Sequence, residues 1–483
     1  MKTLFFLIAP LIALLVLSGC DKQPPLVPEQ QTSSHANPAQ DAEQVALEFI
    51  AQAGWASENN DGGIAKLEIQ QSLGIVTGFR RQPITEDVAH YSIRVRVGAG
   101  PYNTIGIHRV VKERRPFVPI RTADAVFFQH GSFWGFEENF LPGIFSDSRP
   151  DDFGAAGYLA ENNVDVWGID QAWALVPEGV TNFEFMREWG LQKNLDDLSF
   201  GLAVARLVRF LTGIGYDQLI LSGYSSGVAT CVALLNQETQ LPHGHRNVRG
   251  FIPVDYGIKL PSSPTRDWLL ADAEFVQGLY DSGQYQCDVS WLDLLGQLAE
   301  TEPDGESPII PGLTNLQAAL FIGAGQIGGP DVTFHFVAGV LDDTGFPIDF
   351  QLMTIQQWVD FLQSSVPFEP TLFIAESEAL TTDGWPLPFN DHFSEITVPV
   401  FNVAAKGGFR ELTEYGTTFL GSTDVTHHIV EIPSPDILTE FGHIDLLAGD
   451  NAMTKVWQPM LEWIREHRTL SPEKIAEGNT FQN

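Results

Sequence analysis

Short apolar runs punctuate this 483-residue chain, the first of them separated by helix-length segments. The runs are Asp124–Gln129, Val164–Asp170, Gln218–Ser222, Arg249–Asp255, Val398–Ala404 and His428–Ile432. Between the second and third, Leu198, Leu202, Ala205 and Val208 place one apolar stripe along a helix expected over Leu195–Leu211. Near-continuous apolar strands separated by helices predict a parallel sheet covered on both faces, hence an α/β architecture. Ahead of them, Ala89–Val97 and Thr104–Val111 alternate apolar with polar residues, which suits strands at the edge of that sheet. A short helix is expected over residues 43–55 and a final one over residues 451–467.

The regular alternation stops at residue 259 and resumes near residue 396. In between the chain is rich in Pro, Gly and aromatics, among them Trp268, Phe275, Tyr280, Trp291, Phe334, Phe336, Trp358, Phe361 and Trp385. An inserted lid or cap over 259–395 is the expectation, splitting a core of 43–258 and 396–468. The polar residues 469–483 form a tail.

The first residues carry Lys2, an apolar run from Leu4 to Leu17, and then Leu17-Ser18-Gly19-Cys20. The run is short for a membrane-spanning helix and reads as an export signal over 1–19. Its last four residues resemble the bacterial lipoprotein cleavage box, which implies a lipidated Cys20 as mature N-terminus. Residues 20–42, dominated by Pro, Gln, Ser and Asn, then form a flexible tether. The expected location is the bacterial cell envelope, with membrane contact through the N-terminal lipid.

Charge narrows the partners. A formal net charge of −34 argues against nucleic acid and against a basic patch for anionic lipid. Of three cysteines, Cys231 and Cys287 remain once Cys20 is set aside, and Cys231 on an apolar helix reads as a small buried thiol.

The strand candidate Gln218–Ser222 runs into Gly223-Tyr224-Ser225-Ser226-Gly227, followed by the helix candidate Val228–Leu235. A serine hydroxyl is a weak nucleophile that needs an adjacent base and a sharply bent backbone to present it, and flanking glycines permit the bend. The bland alternative is a glycine-bounded turn with an incidental serine. Of twelve histidines, His443 alone sits in a Gly-His-x-Asp context, Gly442-His443-Ile444-Asp445. Before both, the strand ending at Gln129 leads into His130-Gly131-Ser132.

In this order the features resemble the α/β-hydrolase superfamily over roughly residues 85–467. The resemblance implies an α/β-hydrolase fold with Ser225 as nucleophile and His443 as its base. It implies an oxyanion hole made by the backbone N–H of Ser226 and that of Ser132 or Phe133, with His130 bracing the loop. In the superfamily the acid commonly follows the strand found here at Val398–Ala404, yet this chain continues Ala405-Lys406-Gly407-Gly408-Phe409 without a carboxylate. Asp255, ending the preceding strand, is the favoured acid, because a strand end fixes a carboxylate better than a loop does. Glu411 and Asp424 are the alternatives, and Asp445 is expected to order the histidine loop.

These features together read as a serine hydrolase of carboxylic esters acting through an acyl-enzyme. Its partner would be a small-molecule or lipid-like ester with an apolar acyl or aryl group, suited to the aromatic insertion. Two alternatives are a peptidase or amidase of the same fold, and a non-catalytic binding lipoprotein that has lost its acid. No metal cluster, phosphate loop or dinucleotide fingerprint stands in the sequence, so no metal and no cofactor is expected.

Overall fold

The structure is a computed structural model describing residues 38–55, 75–330, 332 and 334–468. The signal segment, Cys20, most of the tether and the tail 469–483 lie outside the described residues. The chain begins with α1 (Pro38–Gln52) and three antiparallel strands, β1 (Val76–Pro83), β2 (Val88–Arg96) and β3 (Thr104–Arg115). It then alternates: β4 (Ala125–Gln129), α2 (Phe136–Phe140), α3 (Ala155–Glu161), β5 (Asp165–Asp170), α4 (Leu191–Leu211), β6 (Leu219–Tyr224), α5 (Gly227–Thr239) and β7 (Val248–Val254).

Between β7 and the next strand of the sheet the chain builds α6 (Pro264–Asp281), the short strand β8 (Gln286–Asp288), α7 (Trp291–Thr301), α8 (Asn315–Ala324), α9 (Ile355–Gln363), β9 (Phe368–Pro370) and α10 (Thr371–Thr382). Here β8 and β9 pair antiparallel, α6 packs on α10, and α7 packs on α9. The chain returns to the sheet as β10 (Val400–Ala405), α11 (Glu411–Thr417) and β11 (Val425–Val430). It finishes with α12 (Asp445–Ala448), a π-helical turn at Met453–Trp457 and α13 (Gln458–Glu466), where the sequence predicted one helix over 451–467.

The strands other than β8 and β9 join one sheet in the order β1-β2-β3-β5-β4-β6-β7-β10-β11, antiparallel through the β3–β5 pair and parallel from there on. Every residue of β4, β5 and β6 is buried, as expected for strands covered on both faces. Alternate side chains feed two cores. Val126, Phe128 and Ile220 join Trp463 and Ile464 of α13, whereas Phe127, Trp167 and Leu221 join α1, α4 and α5. Each such large apolar side chain contributes about 1.5–3 kcal/mol relative to exposure.

Two expectations shift. The edge strand is β1, and β2 and β3 lie inside it, so their alternation does not mark an edge. Their polar side chains His90, His108 and Arg109 are buried and partnered within the protein. The N-terminal helix also starts earlier than residue 43, at Pro38.

Candidate active site

The carboxyl ends of β4, β6, β7 and β10 converge, and the predicted chemistry collects there. At the end of β6 the backbone turns through Ser225 with φ 51°, a left-handed conformation that a non-glycine residue adopts only when its surroundings impose it. The surroundings are tight. A Cβ on Gly223 would stand 2.8 Å from Cys231 Sγ, and one on Gly227 would stand 2.3 Å from the His130 carbonyl oxygen. Both glycines therefore let β6, α5 and the 130–132 loop cross, and Cys231 is the buried, free thiol packed into that crossing. Gly131 does the same from the other side, since a Cβ there would lie 2.8 Å from Ser225 Cβ.

Asp255 follows β7 directly, and Ser225 N donates to the carbonyl of Val254 at 3.0 Å. Asp255 also has a positive φ, 50°, and its side chain is fully buried. Its Oδ1 accepts from Ala405 N at 3.1 Å and Phe409 N at 3.0 Å, and its Oδ2 lies 2.6 Å from His443 Nδ1. The absent carboxylate after β10 has its explanation here. A Cβ on Gly408 would fall 2.0 Å from Asp255 Oδ2, so the Gly407-Gly408 turn is shaped to wrap a carboxylate arriving from β7.

His443 is 3 % exposed and held from several sides. Its N–H donates to the His335 carbonyl at 3.0 Å, and Asp445 Oδ2 accepts from Gly442 N at 2.8 Å and Ala338 N at 2.7 Å, ordering the loop as expected. Tyr224, the residue before Ser225, stacks its ring on the His443 imidazole at 4.6 Å and donates its hydroxyl to the His443 carbonyl at 3.1 Å. Phe334, Phe336 and Phe409 complete an aromatic surround at 5.0, 6.1 and 6.1 Å. With Nδ1–H directed at a carboxylate, the imidazole keeps a bare Nε2, the tautomer a proton acceptor requires.

Glu411 and Asp424 are not brought to this histidine. Glu411 is exposed and pairs with Lys406 at 3.5 Å, and Asp424 is exposed and pairs with His467 at 3.1 Å. Both come after β10, Asp424 immediately before β11, and their side chains are exposed. His427 and His428 lie within β11, where His428 Nε2 sits 2.6 Å from the Lys455 carbonyl.

On the oxyanion side, Ser132 Oγ and Ser226 Oγ are 2.9 Å apart, which places the two predicted donor residues together. His130 accepts from Gln171 N at Nε2, 3.0 Å, which leaves its Nδ1–H to donate to the Gly131 carbonyl at 2.8 Å and brace the loop. Phe133 N, the other candidate, donates to Glu369 Oε1 at 2.5 Å. That commitment leaves Ser132 N, of the two, as the candidate donor.

Glu369, on β9, did not stand out in the sequence. Its carboxyl is 2 % exposed and pushed up to about 7 by burial, a shift moderated by the Phe133 N–H and the Ser132 hydroxyl. Burial likewise raises Glu238 and Asp445 to about 7. All three carboxyls are more basic folded than unfolded, so the folded chain binds more protons across the interval from their ordinary range up to about 7. The stability they contribute is complete below that ordinary range and is lost as pH rises through 7. The melting temperature of Glu369→Gln, taken relative to the parent, is therefore expected to rise between about pH 5 and about pH 8, as the parent loses this contribution and the variant has none to lose. A difference that stays flat or falls over this interval would contradict the assignment.

No protein-family model and no curated protein sequence matches the chain. Among solved structures it is similar to a candidate lipase from Sulfolobus solfataricus, at 17% sequence identity and a TM-score of 0.55, over 81% of this chain and 99% of that one. A soluble variant of monoglyceride lipase from Saccharomyces cerevisiae overlaps 86% of this chain and 100% of its own at 15% identity, with a TM-score of 0.36. The sheet order, the parallel strands from β5 to β11 and the flanking helices, together with the first of these likenesses, give this chain the α/β-hydrolase fold.

Proposed function

We propose that the protein is a serine hydrolase of carboxylic esters with an apolar acyl or aryl group, acting through an acyl-enzyme on Ser225. The observation that carries this reading is the 2.6 Å contact between Asp255 and His443 beside a serine held at positive φ. In the proposed cycle His443 Nε2 takes the Ser225 hydroxyl proton as Oγ bonds to the carbonyl carbon. The carbonyl oxygen becomes an oxyanion facing Ser226 N–H and Ser132 N–H, each such donor contributing about 3 kcal/mol to the barrier reduction. Collapse breaks the ester C–O bond, the alcohol leaves with the proton from His443, and water repeats the sequence on the acyl-enzyme. Asp255 holds the imidazolium through the Oδ2 contact with its Nδ1. Phe334, Phe336 and Phe409 around His443 favour an apolar acyl group over a charged one.

The reading as a binding protein without catalysis was motivated by the carboxylate missing after β10, and Asp255 removes that motive. The envelope tether through a lipidated Cys20 belongs to the proposal and rests on the Leu17–Cys20 box alone. The test is a series of p-nitrophenyl esters of increasing acyl length beside the matching anilides, assayed with the detergent-solubilised protein. Hydrolysis of the esters with anilides at least about 100-fold slower is expected, because an amine leaves less readily than an aryl alcohol. Comparable anilide cleavage would shift the assignment to an amidase, and inertness toward both would remove it.

A further inference from the structure

Outside this site a second polar cluster is buried where β2, β3 and β5 meet α2. His90 comes from β2, His108 from β3, Asp170 ends β5, and Glu137 stands on α2. The backbone makes room for them. Gly106 pairs with Asp170 across the sheet, and a Cβ on Gly106 would stand 2.6 Å from Asp170 Oδ2 and 3.0 Å from His108 Nε2. Gly168, opposite His108, leaves space for the Phe136 ring, which stacks on the His108 imidazole at 4.5 Å.

Following the protons through this cluster leaves an unfilled place. Asp170 Oδ2 accepts from His108 Nε2–H at 2.9 Å, so His108 Nδ1 is bare. That bare nitrogen accepts from His90 Nε2–H at 2.9 Å, which in turn leaves His90 Nδ1 bare. His90 is fully buried, its Nδ1 has no hydrogen-bond partner, and it faces Glu137 Oε1 at 3.8 Å. His90 Nδ1 is thus an acceptor without a donor inside the protein, where an unsatisfied polar group costs about 1–3 kcal/mol, beside a Glu137 Oε1 that already accepts from Arg80. A cation between the two satisfies His90 Nδ1 and shares Glu137 Oε1 with the Arg80 guanidinium.

We propose that this is a site for a divalent metal ion of the zinc class, ligated by His90 Nδ1 and Glu137 Oε1. Imidazole nitrogen with carboxylate oxygen is a donor set that suits first-row divalent cations such as zinc. His90, His108 and Glu137 each bring a ligand atom within 4.8 Å of the others, so the site has the compass of a single ion. The Asp170–His108–His90 chain acts as outer support, fixing the His90 tautomer as second-shell carboxylates do for metal-bound histidines. Glu137 is 26 % exposed, which gives the ion a path from solvent and leaves the remaining positions to water, and the ion competes with Arg80 for its Oε1. The ion would tie α2 to β2. Because Phe136 N donates to Asp170 Oδ1 at 2.8 Å, it would also steady the 130–136 loop at the active site.

The test uses the detergent-solubilised full-length protein, stripped with chelator and titrated with zinc ion by calorimetry, with bound metal counted by mass spectrometry. About one zinc per chain is expected, with a melting temperature that rises by a few degrees at saturating zinc. His90→Ala and Glu137→Gln should each weaken binding at least about 10-fold, while His392→Ala, which removes a half-buried histidine elsewhere, should bind as the parent does. Glu137→Gln lies on a partly exposed helix face and keeps the test valid if His90→Ala fails to fold. Absence of zinc binding, leaving a buried imidazolium to fill the place, would overturn the site, as would binding that survives in Glu137→Gln. These readouts are independent of ester hydrolysis, so they stand or fall apart from the role of Ser225.

Discussion

Ser225→Ala should reduce kcat on an aryl ester by about 10⁵-fold or more while leaving the melting temperature within a few degrees of the parent. The argument starts from the backbone. Ser225 sits at φ 51° because Gly223, Gly227 and Gly131 allow three segments to close around it, and its N–H is fixed to the Val254 carbonyl at 3.0 Å. Alanine keeps the same Cβ, so it meets the same strain and the same neighbours, and the elbow persists. What disappears is the hydroxyl and with it the acyl-enzyme, leaving only what substrate binding and the oxyanion donors supply. The measurement is steady-state hydrolysis alongside thermal melting. Residual activity within about 10-fold of the parent would place the nucleophile elsewhere.

Asp255→Asn is expected to lower kcat by about 10⁴-fold, with KM changed by less than about threefold. Asparagine suits this position better than alanine would, since it tolerates the left-handed region that φ 50° requires. Its amide oxygen can go on accepting from Ala405 N and Phe409 N, so the turn around Gly408 survives. The amide nitrogen then faces His443, forces its Nδ1 to accept, and moves the ring proton to Nε2, where a base is needed. Glu411→Gln and Asp424→Asn should stay within about twofold of the parent, because each carboxylate is exposed and paired with Lys406 or His467. The three kinetic profiles measured side by side decide the acid.

How much of this could be read beforehand follows from where the information lay. The buried strands β4 to β7 were legible because both faces of the sheet are covered, which gives unbroken apolar runs. Asp255 was legible as the last residue of such a run. By contrast β1, Val-Thr-Gly-Phe-Arg-Arg-Gln-Pro, is half exposed and carries Gly, two Arg and Pro, so nothing in its pattern marks a strand. The helices of segment 259–395 went unread, although two of them start at capping boxes, Thr314…Gln317 and Thr354…Gln357, with both reciprocal hydrogen bonds formed.

The support around the site was not readable, because it is assembled by contacts distant in sequence. Glu369 reaches Phe133 across 236 positions, His335 receives His443 N, and Gly408 matters only for the carboxylate that fills the space beside it. The His90–His108–Asp170 chain escaped for the same reason. Its members have no motif spacing, and three strands bring them together. The spacing of these residues shows no metal-ligand motif, and the site proposed for them exists only because the sheet brings them together.

The central claim is that Ser225, activated by His443 and Asp255, forms a covalent acyl intermediate. It is tested most directly by incubating the detergent-solubilised protein with a fluorophosphonate and measuring intact mass and the modified peptide. The account predicts one phosphonyl adduct per chain, carried on Ser225, absent in Ser225→Ala and much slower to form in Asp255→Asn. A folded parent protein that never gains the adduct, or gains it equally in Ser225→Ala, would contradict it.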